Sequence, residues 1–397
     1  MQSVKSQGWS RTVGVLVCSA LILALPGCAT PPPPAPIAAQ TLLQDALFPA
    51  ANPAPDVAGL FAMSDAMRAY AQKELPALGR HQDPRRALIE ALYDRGQLRL
   101  MYDSGHTRTA AEAFEARAGN CLSLVIMTAS FAQELGLPVS FQAVLTEDLY
   151  SRSGGLYLAS GHVNLVLGPP RTRSVSERSE PDSLTIDFVP GQDMRWQQTR
   201  PLQQSTIVAM YLNNRAAELL AQGHSAQAYW YVREALLHEP SYFNAANTLG
   251  VIYNWAGQAA AAEQAFRRAL DGEPNNVSAL SNLVRLLNGQ GRQDDAAPLS
   301  ARLERLQPVP PFQHFNAGRV AMDAGEFASA RDHFERELRL QPYQPEVHYW
   351  AAQAYWRLGQ TRRAERHLKL ADENSSSRSE QERYSAKLDW LRNHQTQ

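Results

Sequence analysis

Three residues that together can attack an amide bond occur in order in the first half of the chain: Cys121, His162 and Asp187. Such an attack needs a nucleophile, a group that moves the proton and a group that orients it. Cys121 would supply a thiolate, His162 would pair with it and later protonate the leaving amine, and Asp187 would fix the His162 tautomer. The main-chain N–H of Cys121 is the expected oxyanion donor. The expected product is a thioester, which water or an amine then resolves.

Each of these residues, taken alone, also has an ordinary structural interpretation. A lone cysteine is often a buried apolar side chain, and a histidine or aspartate beside a strand is often a polar packing group. The interpretation as a site therefore depends on the order of the three residues and on the elements that carry them. The other histidines of this region are His81 and His106. No CxxC, HExxH, GxSxG or P-loop pattern competes with this site. We expect neither a metal site nor a cofactor.

Cys121 lies in the first turn of a predicted helix. A short helix is predicted over 109–116, and residues 117–120 interrupt it. Apolar residues then recur at helical spacing over 121–135, and the pattern stops at Gly136. Unpaired N–H groups at a helix N-terminus stabilise an anion, so this position favours the thiolate form of a cysteine.

The other two candidate residues are associated with predicted strands. His162 directly precedes the second of three β-rich runs, and Asp187 lies in the third. The chain therefore presents a helix with the cysteine, a strand, a strand with the histidine and a strand with the aspartate. The strands are predicted over 139–145, 163–167 and 184–189, with loops over 151–160 and 168–183, and helices precede them over 64–75 and 84–92.

These segments carry a family resemblance. The run Arg117-Ala118-Gly119-Asn120-Cys121, preceded by Thr109-Ala110-Ala111-Glu112 and followed by Glu134-Leu135-Gly136-Leu137-Pro138, resembles the core of the transglutaminase-like superfamily of papain-type folds. A histidine opening a strand is the family's second motif, and Gly161-His162-Val163-Asn164 is similar to it. An aspartate in the next strand is the third, and Ile186-Asp187-Phe188 is similar to it.

The resemblance implies an α+β domain over 57–205 in which Cys121, His162 and Asp187 are the catalytic residues. Two departures from the family pattern leave the substrate class open. Leu122 stands where many members have an aromatic residue, and Phe188-Val189-Pro190 replaces the common Asp-Pro pair.

The second half of the chain repeats itself every 34 residues. Residues 243–276 resemble the tetratricopeptide repeat in full, with a glycine in the turn between two helices, an alanine at their close contact and a proline after the second helix. The predicted fold is an all-α solenoid of five repeats over 209–378, whose groove takes a protein or peptide partner. The periodic residues are Gly223, Gly257, Gly291, Gly325 and Gly359; Ala228, Ala262, Ala296, Ala330 and Ala364; and Pro240, Pro274, Pro308 and Pro342.

The array has one weak unit and an expected cap. The third repeat, 277–310, carries Pro298 in its second helix and Ser300 at the usual aromatic position. We expect the superhelix to bend or loosen there. Residues 379–397 are predicted to form a capping helix and tail, which solenoids need for solubility.

The N-terminus has the pattern of an export signal. Lys5 and Arg11 precede an apolar run over 13–25, which is too short to span a bilayer. The sequence Leu25-Pro26-Gly27-Cys28 resembles the lipobox of bacterial lipoproteins, which implies removal of residues 1–27 and acylation of Cys28. Ala29 after the cysteine implies the outer membrane, facing the periplasm. An ordinary signal peptide with a chance cysteine is the alternative.

A proline-rich tether is predicted over 28–56, because residues 31–36 favour extended polyproline II. Cys18 would leave with the signal and Cys28 would be acylated, so Cys121 would remain as an unpaired thiol.

Composition limits the remaining possibilities. The chain of 397 residues is 44% hydrophobic and 19% charged, which suits two or three folded domains. Its formal charge of −1 has no concentrated basic region, so we expect no nucleic-acid partner. The leading hypothesis is an exported, lipid-anchored cysteine hydrolase or acyltransferase whose repeats recruit a protein partner. The alternative is a non-enzymatic envelope scaffold.

Overall fold

The structure of the protein is a computed structural model. It describes residues 39–50, 53–78, 83–93, 98, 100–103, 105–153, 156–169, 183–188, 198–307, 312–342, 344–375 and 378–394. The predicted signal segment 1–27, the predicted acylation site Cys28 and the proline run 31–36 lie outside these residues. Among the described helices, none combines the length and the apolar character needed to cross a membrane.

The first half of the chain is a mixed α and β region. Three helices precede the helix that carries Cys121, and strands follow it. In chain order the elements are α1 (Asp65–Leu78), α2 (Pro84–Tyr93), β1 (Met101–Tyr102), α3 (Ala110–Ala116), β2 (Ala118–Gly119), α4 (Cys121–Glu134), β3 (Val139–Ser153), β4 (Leu156–Leu167), β5 (Leu184–Ile186) and β6 (Thr199–Leu202).

Four of the strands form one antiparallel sheet, in the order β5-β4-β3-β6. The hairpin of β3 and β4 is longer than the sequence analysis predicted, so the expectation of a loop over 151–160 was wrong. Glycine and serine favour a loop locally, but the ladder resumes after a register shift and pairs Leu149 with Ser160 and Ser153 with Leu156. Backbone pairing across a hairpin can override such weak local preferences.

The short third strand also differs from its prediction. β5 ends at Ile186, so Asp187 follows the strand instead of lying within it, and residue 189 is outside the described part. The pairing of Leu165 with Ile186 places Asp187 level with Asn164 on β4. Asp187 is thereby next to the stretch of β4 that carries His162, since diagonal neighbours across a ladder are within side-chain reach.

Helix α4 is the centre of this region. Every residue from Cys121 to Ala132 is buried, as expected of a helix that is covered on all sides. It contacts α1, α2 and α3 as well as β3 and β4. It also contacts α5 (Gln204–Ala221), the first helix of the repeat array. Cys121 therefore sits at the start of the element on which the first half of the chain packs.

The repeat array consists of five helical hairpins within the described residues, as predicted. The turn glycines all adopt positive φ between 71° and 85°, which an L side chain rarely tolerates. The five periodic alanines are all buried. The hairpins are α5 with α6 (Ser225–His238), α7 (Phe243–Trp255) with α8 (Ala259–Gly272), α9 (Val277–Gly289) with α10 (Gln293–Leu306), α11 (Gln313–Asp323) with α12 (Phe327–Leu340), and α13 (Pro345–Arg357) with α14 (Thr361–Glu373); α15 (Arg378–His394) follows.

The third repeat differs from the others in its burial. Helix α10 continues through Pro298, but Ala296 is its only described residue that is fully buried. One hydrophobic cluster runs from Ala39 to Ala296, and a separate cluster begins at Phe312. The apolar core is thus interrupted between the third and fourth repeats, while the first half of the chain and repeats one to three share a single core.

Part of the predicted tether is folded against the repeats. Residues 39–50, which we call the docked segment, form two 3₁₀ turns over Ala39–Leu42 and Asp45–Leu47. Leu42 and Phe48 are buried. An extended spacer would leave both side chains in water, so apolar burial accounts for the difference from the prediction.

Polar contacts fix the docked segment to the first two repeats. The Tyr253 hydroxyl donates to the Leu42 carbonyl at 2.6 Å, and the Tyr229 hydroxyl donates to Asp45 at 2.7 Å. Arg233 lies 3.1 Å from the same carboxylate. The hydrogen bond from Tyr229, together with Arg233, lowers the pKa of Asp45 despite some opposing burial. The described part of the tether is therefore attached to the array.

Candidate functional site

The backbone before Cys121 is shaped to start a helix abruptly. Arg117 ends α3 with a φ of 49°, and β2 then brings the chain to Asn120. The Asn120 side chain accepts from the Ser123 N–H at 2.9 Å and caps α4, which satisfies one of its free donors. A side chain at Gly119 would place its Cβ 2.7 Å from that of Ser123. Cys121 is thus held in the first helical turn.

His162 and Asp187, predicted as partners, are in direct contact. His162 Nε2 lies 2.7 Å from Asp187 Oδ2, and both side chains are almost fully buried. The Tyr93 hydroxyl, from α2, donates to the Asp187 carbonyl at 2.8 Å. Tyr93 also stacks on Phe188, with ring centroids 6.0 Å apart. These contacts hold the aspartate where it can orient the imidazole.

Cys121 neighbours the same histidine. Burial lowers the pKa of His162, but the hydrogen bond with Asp187 and the interaction with the Cys121 thiol outweigh it and raise the pKa to about 9. The other ring nitrogen, Nδ1, is buried and has no hydrogen-bond partner within the described residues. Cys121 itself is 8% exposed. The structure therefore puts His162 in contact with Asp187 and places Cys121 near the imidazole.

Tyr102 is a fourth residue at this position, and the sequence analysis missed it. β1 pairs in parallel with β2, with Tyr102 opposite Gly119, so its side chain reaches the start of α4. Its hydroxyl lies close to both the main-chain N–H and the thiol of Cys121. Burial raises the pKa of Tyr102 well above its usual range, and Cys121 and Asp187 raise it further. A two-residue strand leaves no periodic pattern from which it could have been found.

The position of Tyr102 bears on the oxyanion donor. The N–H of Cys121 is the expected donor, and the Tyr102 hydroxyl lies close to it. A substrate carbonyl would have to take the place of this hydroxyl or accept from it, since an oxyanion needs donors within hydrogen-bond distance.

Comparison with known proteins confirms the repeats. Two family models, both described as tetratricopeptide repeat, match residues 256–309 and 321–386. The Type IV pilus assembly protein PilF of Pseudomonas aeruginosa is 31% identical over 121 residues, which are 30% of this chain and 48% of that protein. The chain therefore spans about half the length of this curated relative. Repeats of this kind generally bind protein or peptide partners.

The solved structures that match parts of this chain are more distant in sequence. A structure of Pseudomonas aeruginosa PilF is 21% identical and covers 49% of this chain and 88% of its own, with a TM-score of 0.28. A thermophilic tetratricopeptide-repeat protein of Thermus thermophilus is 19% identical and covers 45% of this chain and 97% of its own, also with a TM-score of 0.28.

Proposed function

We propose that residues 57–205 form a transglutaminase-like domain that uses Cys121 to hydrolyse or exchange amide bonds in a protein or peptide. The observation that supports this is the 2.7 Å contact of His162 with Asp187 beside the Cys121 thiol. A buried imidazole that contacts a carboxylate and lies near a thiol has the set of groups that activates a cysteine nucleophile.

In the proposed reaction the thiolate of Cys121 adds to the amide carbonyl carbon. The C–N bond then breaks, the amine leaves with a proton from His162, and a thioester remains on the sulfur. Water or a second amine then attacks the thioester carbonyl while His162 takes up its proton. The C–S bond breaks, a carboxylic acid or a new amide leaves, and the thiolate and imidazolium pair is restored. Asp187 holds the imidazole throughout and stabilises its charged form.

Thioester trapping tests this function directly. Acylated peptides are incubated with the full chain. The mass of the tryptic peptide containing Cys121 is then measured before and after treatment with hydroxylamine, which cleaves thioesters. We expect an acyl adduct on Cys121 that hydroxylamine removes, and no adduct at that peptide in Cys121→Ala. If acylation is equally abundant at other side chains and survives hydroxylamine, the proposed chemistry is wrong.

A second function is favoured by a different observation. Cys121 is largely covered, and the Tyr102 hydroxyl lies close to the N–H that an oxyanion would need. A site closed in this way, next to repeats similar to those of a pilus assembly protein, supports a non-enzymatic adaptor that organises an envelope complex. Absence of any Cys121 adduct, together with capture of a protein partner by the repeats, would favour this adaptor.

For either function we propose that the chain is held at the envelope by lipid on Cys28, facing the periplasm from the outer membrane. The support is the lipobox-like sequence and the tether that follows it. We expect the wild-type protein in the membrane fraction and Cys28→Ser in the soluble fraction, because several acyl chains on one residue give stable anchoring. Retention of Cys28→Ser in membranes would exclude this anchor.

A further inference from the structure

The first repeat helix is hydrogen-bonded to the loop that precedes α3. Glu218, on α5, accepts from the Thr107 N–H through Oε1 at 2.7 Å. The same carboxylate accepts from Arg215 through Oε2 at 2.5 Å. Its side chain is 13% exposed, and Thr107 is buried. Loss of the acceptor would leave a buried N–H without its partner, which is costly.

Thr107 continues this connection to the start of the cysteine helix. Its hydroxyl accepts from Asn120 Nδ2 at 2.8 Å. The amide oxygen of Asn120, Oδ1, accepts from both the N–H and the hydroxyl of Ser123, at 2.9 and 2.8 Å. The Ser123 hydroxyl oxygen in turn accepts from the Arg108 N–H at 2.8 Å. Thr107 therefore fixes the rotation of the amide that caps α4, one residue before Cys121.

We propose that Glu218 is a positioning residue for Cys121, acting from the repeat array through Thr107 and Asn120. The proposal rests on the proposed function for its chemical readout. A cap that is held from both sides keeps the first N–H groups of α4 aligned, and these groups stabilise an anion at the helix start. The array is then part of the thiol site as well as a surface for a partner.

The experiment compares iodoacetamide alkylation of Cys121 in the full chain at pH about 6 and about 9.5. The ratio of the two rates reports stabilisation of the thiolate, because an ordinary thiol is mostly ionised only at the higher pH. A change in the accessibility of Cys121 alters both rates by the same factor, so it leaves their ratio unchanged. The ratio is measured by mass at the Cys121 peptide, so Cys18 and Cys28 do not interfere.

We expect Glu218→Ala to lower this ratio by about fivefold, the effect of one well-formed hydrogen bond. Glu218→Gln should restore it, since its amide oxygen can still accept from Thr107. Thr107→Val breaks the next link and should lower the ratio without adding to the effect of Glu218→Ala. Glu263→Ala is the matched control, because Glu263 is similarly covered at 17% exposure and binds Arg267 and Arg292 within the array.

The proposal is overturned if Glu218→Ala matches the wild type, or if Glu218→Gln is as impaired as Glu218→Ala. If the wild type and His162→Ala give the same ratio of alkylation rates, the proposed function fails. Hydrogen exchange of the backbone amides of residues 118–124 then decides whether Glu218 positions Cys121. Faster exchange in Glu218→Ala, but not in Glu218→Gln, supports it. Unchanged exchange in Glu218→Ala overturns it.

Discussion

Replacing His162 with alanine is expected to slow Cys121 alkylation at pH about 6 by at least about tenfold, while the rate at pH about 9.5 changes little. The hydrogen bond with Asp187 and the neighbouring thiol raise the pKa of His162 to about 9 against the opposing effect of burial. Because this value lies above the usual 6.5, the imidazolium persists through neutral pH and is lost only as the pH rises through about 9. Its positive charge stabilises a neighbouring thiolate over that whole range.

The measurement is a pH series of iodoacetamide alkylation, followed by mass at the Cys121 peptide. Asp187→Asn should slow alkylation at pH about 6 by less than His162→Ala does. The histidine stays in place, but the carboxylate charge that stabilises the imidazolium is gone. His224→Ala removes an exposed histidine from the repeats and serves as the control. A wild-type profile identical to that of His162→Ala would mean that Cys121 is a buried structural thiol.

Replacing Phe48 with alanine is expected to destabilise the protein by about 3 kcal/mol, the usual cost of truncating a buried phenylalanine. Phe48 is 8% exposed and stacks on Tyr229, with ring centroids 4.2 Å apart. It also lies near Tyr253 at 6.1 Å. The side chain therefore fills the space between the docked segment and the first two repeats.

Urea denaturation, followed by tryptophan fluorescence, measures this effect. Leu47→Ala is a control from the same segment, because Leu47 is 43% exposed and should cost less than about 0.5 kcal/mol. If both variants lower the free energy of unfolding equally, burial of Phe48 in the docked segment adds nothing specific to the stability of the repeats. A loss confined to Phe48→Ala would show that the predicted tether includes a folded part.

The features that the sequence revealed are those with local causes. The repeat period was visible because each hairpin needs its own turn glycine and close-contact alanine. The limits of α4 were visible because Asn120 caps its start and Gly136 follows its end with a φ of 68°. The order of Cys121, His162 and Asp187 could be interpreted because each residue lies at or near the end of a predicted element.

The features that the sequence did not reveal depend on distant partners. Tyr229 reaches Asp45 across 184 positions of the chain, and Glu218 reaches Thr107 across 111. Neither contact leaves a periodic trace, because each pairs single residues from segments whose own patterns are unrelated. Tyr102 was missed for a similar reason, since it is placed by a two-residue pairing with β2.

The shared core has a consequence for how such a chain can diversify. Helix α5 contributes to the same apolar cluster as the cysteine helix, through Ile207, Ala209 and Leu212. It therefore packs both on the first half of the chain and on the repeats. A gene rearrangement that joined the region around Cys121 to a different repeat array would have to retain α5. Repeats four and five, whose buried residues form two further clusters, are free of this constraint. New binding preferences can therefore arise at the distal end of the array while the region around Cys121 is inherited unchanged.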